Sequence, residues 1–202
     1  MDTEKVWDEI SGSWNDFRVD VPSDVSDFFY GRKGKILDLG CGSGRNFLKI
    51  DGVELYGVDF SGKMLEFAKA KADSLGLDVE LRKAEVFDTG FSDDFFDSVL
   101  FYAVLHCVDS AEKRKKTLEE IYRILKTGGE VFVSSWGRKQ ARLKNNEKEC
   151  FVPWTLKNGE KFERYTYIFD LKELEDLVKE VGFEIVKSWE DNNVCLVLKK
   201  VL

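Results

Sequence analysis

The sequence predicts an α/β protein with a doubly wound, mostly parallel sheet of seven strands that includes a terminal antiparallel hairpin. The first observation is that short apolar strands alternate with amphipathic helices from Lys35 onwards, which favours a parallel sheet with helices on both faces. The second is a glycine-rich turn directly after the first of these strands. The third is that Phe183–Ser188 and Val194–Lys199 are separated by only a short polar turn, so they should pair antiparallel.

Length and composition favour one globular domain that spans residues 1–202. Hydrophobic residues make up 43% of the chain and charged residues 34%, a balance typical of folded proteins. No apolar run reaches the length of about 18 residues that crosses a membrane, and the acidic, polar N-terminus differs from a secretory signal. We therefore expect a cytoplasmic protein without a membrane partner. The four cysteines are far apart, which predicts reduced thiols and no metal site.

Helices are predicted in an N-terminal helical segment, residues 1–30. Apolar side chains recur there at spacings of three to four residues, which indicates one amphipathic helix or two. These side chains belong to Trp7, Ile10, Trp14 and Phe17. After Pro22, a second short helix should carry the apolar residues Val25, Phe28 and Phe29.

The central part of the chain provides the strands of the predicted sheet and the helices between them. The strands are Lys35–Leu39, Leu55–Val58, Val79–Arg82, Ser98–Phe101 and Glu130–Ser134. Ser61 can cap the helix that follows the second strand. A second helix should cover residues 111–126 and end at Gly128-Gly129.

The last part of the chain contains an interruption and one further helix. Asp170 and Glu173 have capping-box spacing at the start of a helix that runs to Gly182. The stretch 137–165 does not follow the alternation of strands and helices, and it is polar, basic and then aromatic. We expect it to be an irregular insertion on the substrate side of the sheet, where long loops often act as lids.

The glycine-rich turn predicts a cofactor-binding loop. Asp38 is followed by Gly40, Gly42 and Gly44, and glycines let backbone N–H groups approach a ligand where a strand gives way to a helix. The GxGxG spacing differs from the GxGxxG of dinucleotide-binding loops. The preceding aspartate is typical of class I methyltransferases, where it helps to hold the methionine end of S-adenosyl-L-methionine. The alternative is a glycine-rich turn of any Rossmann-like fold.

Four residues after later strands are further candidates for the cofactor site. Asp59 ends the second strand, where a carboxylate can accept hydrogen bonds from ribose hydroxyls; its alternative role is to cap the next helix. Glu85 and Val86 follow the third strand, where this fold contacts adenine, although a solvated surface glutamate is the alternative. Tyr102 follows the fourth strand and should lie beside the cofactor, because the carboxyl ends of strands line the ligand crevice.

His106 is the only histidine of the chain and is a candidate catalytic residue. It comes four residues after Tyr102, so we expect it at the mouth of the site on the substrate side. A lone histidine with a structural hydrogen bond is the alternative.

Several segments outside the glycine loop resemble one family, the tRNA methyltransferases that esterify 5-carboxymethyluridine at the wobble position of the anticodon. The matching residues are Trp7 to Ile10, Arg18, Ile36 to Leu48, Gly57 to Ser61, Ala103 to His106, Arg114, Leu125-Lys126, Gly128-Gly129, Trp136, Gln140, Val152 to Trp154, Arg164-Tyr165, Phe169 and Asp191-Asn192. The chain departs from the family pattern at Cys107, where a second histidine is usual, and at Thr166-Tyr167, where the family has Tyr-His. Both departures fall on the substrate side.

The resemblance implies a carboxylate as the methyl acceptor. A carboxylate is already ionised at neutral pH, so it needs orientation but no general base. The candidates for orienting it are Arg18, His106 and Arg164, with Tyr165 and Trp154 shaping the pocket. Surface salt bridges are the alternative for both arginines.

An RNA substrate would need a local basic face, because the chain carries a net charge of −7. Two basic segments begin at carboxyl ends of strands: Lys113 to Lys116, and the group Arg138, Lys139, Arg142 and Lys144. Together with Trp136 and Trp154 they could contact phosphates and stack a base. A solvated helix face is the alternative for the first segment.

The family resemblance also implies a partner, a small zinc-binding activator protein. We expect it at the edge of the sheet on the third strand, whose unpaired backbone groups can accept another chain. A short edge protected by its charged side chains is the alternative. Two other functions stay open from the sequence: methylation of a small metabolite, and a non-catalytic cofactor-binding subunit.

Overall fold

The computed structural model describes residues 3–202, so Met1 and Asp2 of the predicted N-terminal segment lie outside the described residues. The helices are α1 (Thr3–Phe17), α2 (Ser23–Phe29), α3 (Gly62–Leu75), α4 (Ala111–Ile124) and α5 (Leu171–Val181), with a short 3-10 helix at Leu105–Cys107. The strands are β1 (Gly34–Leu39), β2 (Val53–Asp59), β3 (Val79–Lys83), β4 (Phe96–Tyr102), β5 (Leu125–Trp136), β6 (Glu149–Thr155), β7 (Lys161–Tyr167), β8 (Phe183–Glu190) and β9 (Asn193–Lys200).

The main sheet confirms the predicted fold class. Its seven strands follow the order β3-β2-β1-β4-β5-β9-β8. The first five pair in parallel, and β9 pairs antiparallel with both β5 and β8. The chain proceeds outward from β1 to β3 and then returns to the other side of β1, so the direction of winding reverses between β1 and β4. Ligands of open α/β sheets bind in the crevice outside the carboxyl ends of the strands at such a reversal.

The core lies on both faces of the sheet, because adjacent strand residues point to opposite faces. Leu37 belongs to the cluster that packs against α4 and α5, whereas Ile36 belongs to the cluster that packs against α2 and α3. Both side chains are fully buried. Covering both faces requires strands that are apolar at nearly every position, which is the pattern that predicted them.

The predicted helix caps are confirmed. The Ser61 hydroxyl accepts a hydrogen bond from the Met64 amide at 3.1 Å. At the start of α5, the Asp170 amide donates to the Glu173 carboxylate at 3.4 Å, and Gly182 ends the helix with φ at 111°.

Three local predictions are wrong. The helix predicted over 111–126 ends at Ile124, and Gly128 and Gly129 lie within β5. The reason is that Leu125, which is fully buried, pairs with Phe96 of β4 and so starts the strand. The spacing predicts Phe17 on the apolar face of α1, but its side chain is 66% exposed at the end of the helix.

The stretch 137–165 is not an irregular insertion. Its second half folds into β6 and β7, an antiparallel hairpin that forms a separate two-stranded sheet and extends to Tyr167. Val152 is opposite Arg164 and Trp154 is opposite Phe162. Directly opposed residues share one face of a hairpin, so Trp154 and Arg164 lie on the same side of it.

No helix within residues 3–202 is both long enough and apolar enough to cross a membrane.

Candidate active site

A cleft of about 400 Å³ opens at the carboxyl ends of β1, β2 and β4, and it is called the cofactor cleft below because most of the predicted cofactor residues line it. Its floor is the loop after β1, and α1 covers one side with Trp7 and Trp14. The predicted cofactor residues that line it are Gly40, Gly42, Asp59, Glu85, Val86 and Tyr102. Parallel strands end at the same edge of the sheet, which is why residues from four separate segments meet here.

The three glycines of the loop have different roles. Gly40, Gly42 and Gly44 all have positive φ, between 54° and 77°. A Cβ on Gly42 would meet only Trp14 Nε1, at 4.0 Å, so its backbone is open to the cleft. A Cβ on Gly44 would lie 2.7 Å from Phe47 and 3.1 Å from the Ala68 backbone. Gly44 is not among the residues that line the cleft, and its lack of a side chain permits close packing of the loop on α3.

Two buried carboxyl groups flank this loop. Asp38 is 1% exposed; its Oδ2 accepts a hydrogen bond from Asn46 at 3.4 Å, and its Oδ1 has no partner within the described chain. Asp59 accepts from the amides of Gly42 and Ser61, at 2.8 and 2.9 Å. Burial raises the pKa of Asp38 to about 7 and that of Asp59 to about 6. Each carboxylate would be stabilised by a ligand that supplies a cation or hydrogen-bond donors.

The other cofactor candidates form the walls of the cleft. Val86 is buried, whereas Glu85 is exposed and burial of part of its carboxyl group raises its pKa. The Tyr102 hydroxyl donates to Asp24 Oδ2 at 3.2 Å, which fixes the ring at the end of β4.

A second group of residues surrounds Arg164 beside this cleft. The Arg164 guanidinium lies between 5.1 and 5.8 Å from the ring centroids of four tryptophans. These four residues, called the tryptophan cage below, are Trp7, Trp14, Trp136 and Trp154. They come from α1, β5 and β6, so three elements far apart in the sequence build the cage.

Arg164 is a buried cation without a counter-ion. It is 5% exposed, it has no ion pair among residues 3–202, and its Nε has no hydrogen-bond partner there. Burial and the nearby Arg142 lower its pKa, but arginine stays protonated in proteins. Cation–π contacts to the cage compensate part of the lost hydration, and they leave the N–H groups available for an anion.

His106 lies next to the cage as a neutral imidazole. Its ring stacks on Trp136 at 4.3 Å, and its Nδ1 accepts a hydrogen bond from the Trp136 amide at 3.4 Å. Burial, followed by the charges of Arg164, Arg142 and Arg18, holds the pKa of His106 well below its usual value. An Nδ1 that accepts a hydrogen bond implies that the proton is on Nε2. We predicted His106 at the mouth of the site, but it is 2% exposed and lies behind the surface.

The remaining catalytic candidates occupy different places. Trp154 belongs to the cage and donates from Nε1 to the Ser13 hydroxyl at 3.1 Å. Arg18 stands over the rings of Trp14 and Phe17, each at 5.2 Å. It lines a neighbouring cleft and not the cofactor cleft.

Tyr165 does not shape the pocket around Arg164. Successive residues of a strand point to opposite faces, and Tyr165 instead accepts a hydrogen bond from Arg114 at 3.0 Å on the far side of the hairpin. Arg114 is buried and also donates to the Val108 carbonyl at 3.0 Å. These contacts attach β7 to the segment that carries His106.

Two cations of this region were not among the predicted site residues. Arg45 lines both clefts, and Arg142 stands 4.1 Å over the Trp136 ring. Neither has an ion pair within the described part of the chain. The position of Arg45 directly after Gly44 was a signal that the sequence offered. Arg142 was predicted only as a phosphate contact.

The predicted basic segment Lys113 to Lys116 lies at the start of α4, and its three lysines are exposed ion-paired side chains, as the alternative of a solvated helix face expects. Lys113, Lys115 and Lys116 form ion pairs with neighbouring carboxylates at 2.5 to 2.9 Å, and Arg114 is buried. In the other basic segment, Arg138 and Lys139 are also paired. Exposed ion pairs are weak, so a role of these side chains in binding phosphate stays a prediction.

Comparisons with known proteins agree with this architecture. The sequence profile described as a methyltransferase domain matches residues 37–133. A protein of Encephalitozoon cuniculi strain GB-M1 that is named a methyltransferase is 31% identical over 182 residues, which cover 86% of this chain and 82% of that protein. The solved structure of an S-adenosylmethionine-dependent methyltransferase from Methanosarcina mazei has a TM-score of 0.69 at 24% identity and covers 91% of this chain and 100% of its own.

A relative from Arabidopsis thaliana carries a more specific name, tRNA (carboxymethyluridine(34)-5-O)-methyltransferase. It is 30% identical over 120 residues, which are 59% of this chain but only 27% of the plant protein. The match to the Encephalitozoon protein extends over most of both chains and identifies the family. The chain belongs to the class I methyltransferases, enzymes that use S-adenosylmethionine as their cofactor.

Proposed function

We propose that this enzyme methylates the carboxylate of 5-carboxymethyluridine at the wobble position of a tRNA, forming a methyl ester. The observation that carries the proposal is Arg164, a buried guanidinium with no counter-ion in residues 3–202 and with an Nε that lacks a partner. Burying an unpaired charge costs several kcal/mol. An anionic acceptor would remove that cost, and a planar carboxylate matches a guanidinium through two parallel hydrogen bonds.

The cofactor would be held by residues that line the cofactor cleft or lie directly behind its glycine loop. Asp38, with an unpartnered buried oxygen, fits the amino group of the methionine end, and Asp59 fits the ribose hydroxyls. Gly40 and Gly42 would let backbone N–H groups approach the cofactor. Glu85 and Val86 would contact its adenine, and Tyr102 would lie beside the cofactor. Gly44 would act only by shaping the loop. When bound, S-adenosylmethionine supplies an electrophilic methyl group, and the electron pair of the broken bond stays on sulfur.

The acceptor would be oriented by the tryptophan cage region. Arg164 would bind the carboxylate, and neutral His106 would donate a hydrogen bond from Nε2. A carboxylate is ionised at neutral pH, so no residue needs to remove a proton. Correct positioning can supply roughly 7–11 kcal/mol of the barrier in such a reaction. Trp154 would hold Arg164 in place, and Tyr165 would act through Arg114 as a positioning residue.

The choice of tRNA as the acceptor rests on two supports. The plant relative is named for this modification, although this chain spans about a quarter of its length. Arg142 also stands over the Trp136 ring of the cage, and neither Arg142 nor the exposed Lys144 has an ion pair among the described residues. A small metabolite with a carboxylate would use Arg164 in the same way, and the experiment below distinguishes the two.

The test is methyl transfer from radiolabelled cofactor to tRNA that carries 5-carboxymethyluridine, with unmodified tRNA as the control. We expect label only in the modified tRNA. A carboxylate ester is hydrolysed by mild base, so the label should be released as methanol, whereas a methyl group on a ring nitrogen or carbon would stay. Base-stable label, or transfer only to a small carboxylic acid, would contradict the proposal.

The proposed partner is a small zinc-binding activator protein at the β3 edge. Its support is that β3 lies at one edge of the sheet and exposes backbone groups that another strand can pair with. Glu80 and Arg82 form an ion pair on this edge, which is also compatible with a protected edge. We expect the chain to gain activity on tRNA when the activator is co-expressed. Full activity of the isolated chain, with no complex on co-purification, would contradict this partner.

A further inference from the structure

A second cleft of about 370 Å³ lies beside the cofactor cleft. It shares Ser43 and Arg45 with that cleft, and α3 contributes Lys71 to its wall. Its full lining is Asn15, Asp16, Arg18, Val19, Ser43, Arg45 and Lys71. A volume of about 300 Å³ or more is typical of ligand pockets.

The charges of this second cleft are not balanced. Arg18, Arg45 and Lys71 form no ion pair within residues 3–202. Asp16, the acidic residue in the lining, is paired with Lys157 at 3.2 Å. The Nε of Arg18 is buried and lacks a hydrogen-bond partner within the described chain. Three cations without ion pairs therefore line one open space, and one of them, Arg18, also keeps a buried N–H without a partner, which favours an anion site.

The second cleft is adjacent to the place proposed for the acceptor. Arg18 and Arg164 stand over the same Trp14 ring, at 5.2 and 5.5 Å from its centroid. One nucleotide carries both a base and a backbone phosphate, so a nucleotide whose base substituent reaches Arg164 would bring a phosphate towards Arg18. A free nucleoside or a small carboxylic acid has no group for the second cleft.

We propose that the second cleft binds a backbone phosphodiester of the RNA strand at or next to the acceptor nucleotide, through Arg18, Arg45 and Lys71. This inference rests on the proposed function, because it assigns the acceptor to RNA. The cleft would then select a polynucleotide over a nucleoside.

Lys71→Ala is the sharpest test, because Lys71 lines the second cleft and not the cofactor cleft. Lys69→Ala is a matched control on the same helix, since Lys69 lines neither cleft and pairs with Asp73. The probe is an anticodon stem-loop RNA that contains 5-carboxymethyluridine, and its dissociation constant is measured at several salt concentrations. We expect Lys71→Ala to weaken binding roughly three- to tenfold and to reduce the salt slope by about 0.7, the value for one single-strand phosphate. Lys69→Ala should change neither.

Three results would overturn the proposal. The first is that the two variants bind RNA equally well, and the second is that the protein without substitutions binds no RNA. The third is that Lys71→Ala loses binding of inorganic phosphate while its RNA binding does not change. The last result would assign the cleft to a free phosphate. Methyl transfer to the RNA is measured separately. If methyl transfer occurs but Lys71→Ala does not affect RNA binding, only the proposed role of the second cleft is contradicted. If Lys71→Ala weakens RNA binding but no methyl transfer occurs, only the proposed function is contradicted.

Discussion

Replacing Arg164 with methionine tests whether this buried cation serves binding or stability. The change keeps an unbranched side chain of similar reach and removes the charge. Arg114→Met is the matched control, because Arg114 is buried to the same degree, 4% against 5% exposed, but has hydrogen-bond partners. The two arginines thus differ in what they contact, not in how deeply they lie.

The expected effects on stability follow from those contacts. Arg164→Met removes four cation–π contacts, each of which stabilises the fold by about 0.5–2 kcal/mol. The same change removes the cost of burying an unpaired ion, which is several kcal/mol. The two terms nearly cancel, so we expect the free energy of unfolding to stay within about 1 kcal/mol of the original value. Arg114→Met leaves the Val108 carbonyl and the Tyr165 hydroxyl without their donor, which costs at least about 2 kcal/mol.

Arg164→Met should change activity strongly, in contrast to its small expected effect on stability. Arg164→Met should lower kcat/KM for the modified tRNA by roughly 10- to 150-fold, the equivalent of a hydrogen bond to a charged group of about 1.5–3 kcal/mol. Cofactor affinity should not change, because Arg164 does not line the cofactor cleft. Urea unfolding, calorimetry with S-adenosylmethionine and labelled methyl transfer measure the three quantities. The reasoning is refuted if Arg164→Met loses as much stability as Arg114→Met, or if it keeps its activity.

Three further predictions concern the two sides of the site. Asp59→Asn should weaken S-adenosylmethionine binding at least about tenfold, because a neutral amide is a poorer acceptor for ribose hydroxyls; an unchanged calorimetric affinity in a folded variant would contradict the assignment. His106→Ala should lower methyl transfer about 10- to 100-fold while cofactor affinity stays within about twofold, and the opposite pattern would place His106 on the cofactor side. Burial raises the pKa of Asp38 to about 7, and a cationic amino group requires the ionised form, so cofactor affinity should fall as the pH drops below about 7, by up to about tenfold per pH unit. Asp38→Asn should remove the part of this dependence between about pH 7 and pH 6, whereas the part below about pH 6 remains because burial raises the pKa of Asp59 to about 6. A constant affinity of the chain without substitutions between about pH 7 and pH 6 would refute the assignment of Asp38.

The sequence by itself determined the elements whose signals are local. Apolar runs located β1 to β5, and Ser61 located the start of α3, because a cap or a buried strand depends on a few neighbouring residues. The fold class followed from the alternation of these elements. Most of the residues that line the cleft at the ends of the parallel strands followed as well, since side chains just past these strands reach the same crevice; that they bind the cofactor stays a prediction. Errors arose where a tertiary contact overrode the local pattern, as when the pairing of Leu125 with Phe96 ended α4 early.

The substrate side was decided only by the tertiary structure. The tryptophan cage combines residues of α1, β5 and β6 that no spacing in the sequence connects. The register of the β6–β7 hairpin directs Arg164 into the cage and Tyr165 away from it, because adjacent strand residues face opposite sides. The sequence shows that an arginine is charged, but whether that charge finds a counter-ion depends on every element packed around it. Arg114 and Arg164 are alike in the sequence, and the fold supplies hydrogen-bond partners to one and leaves the other without a counter-ion.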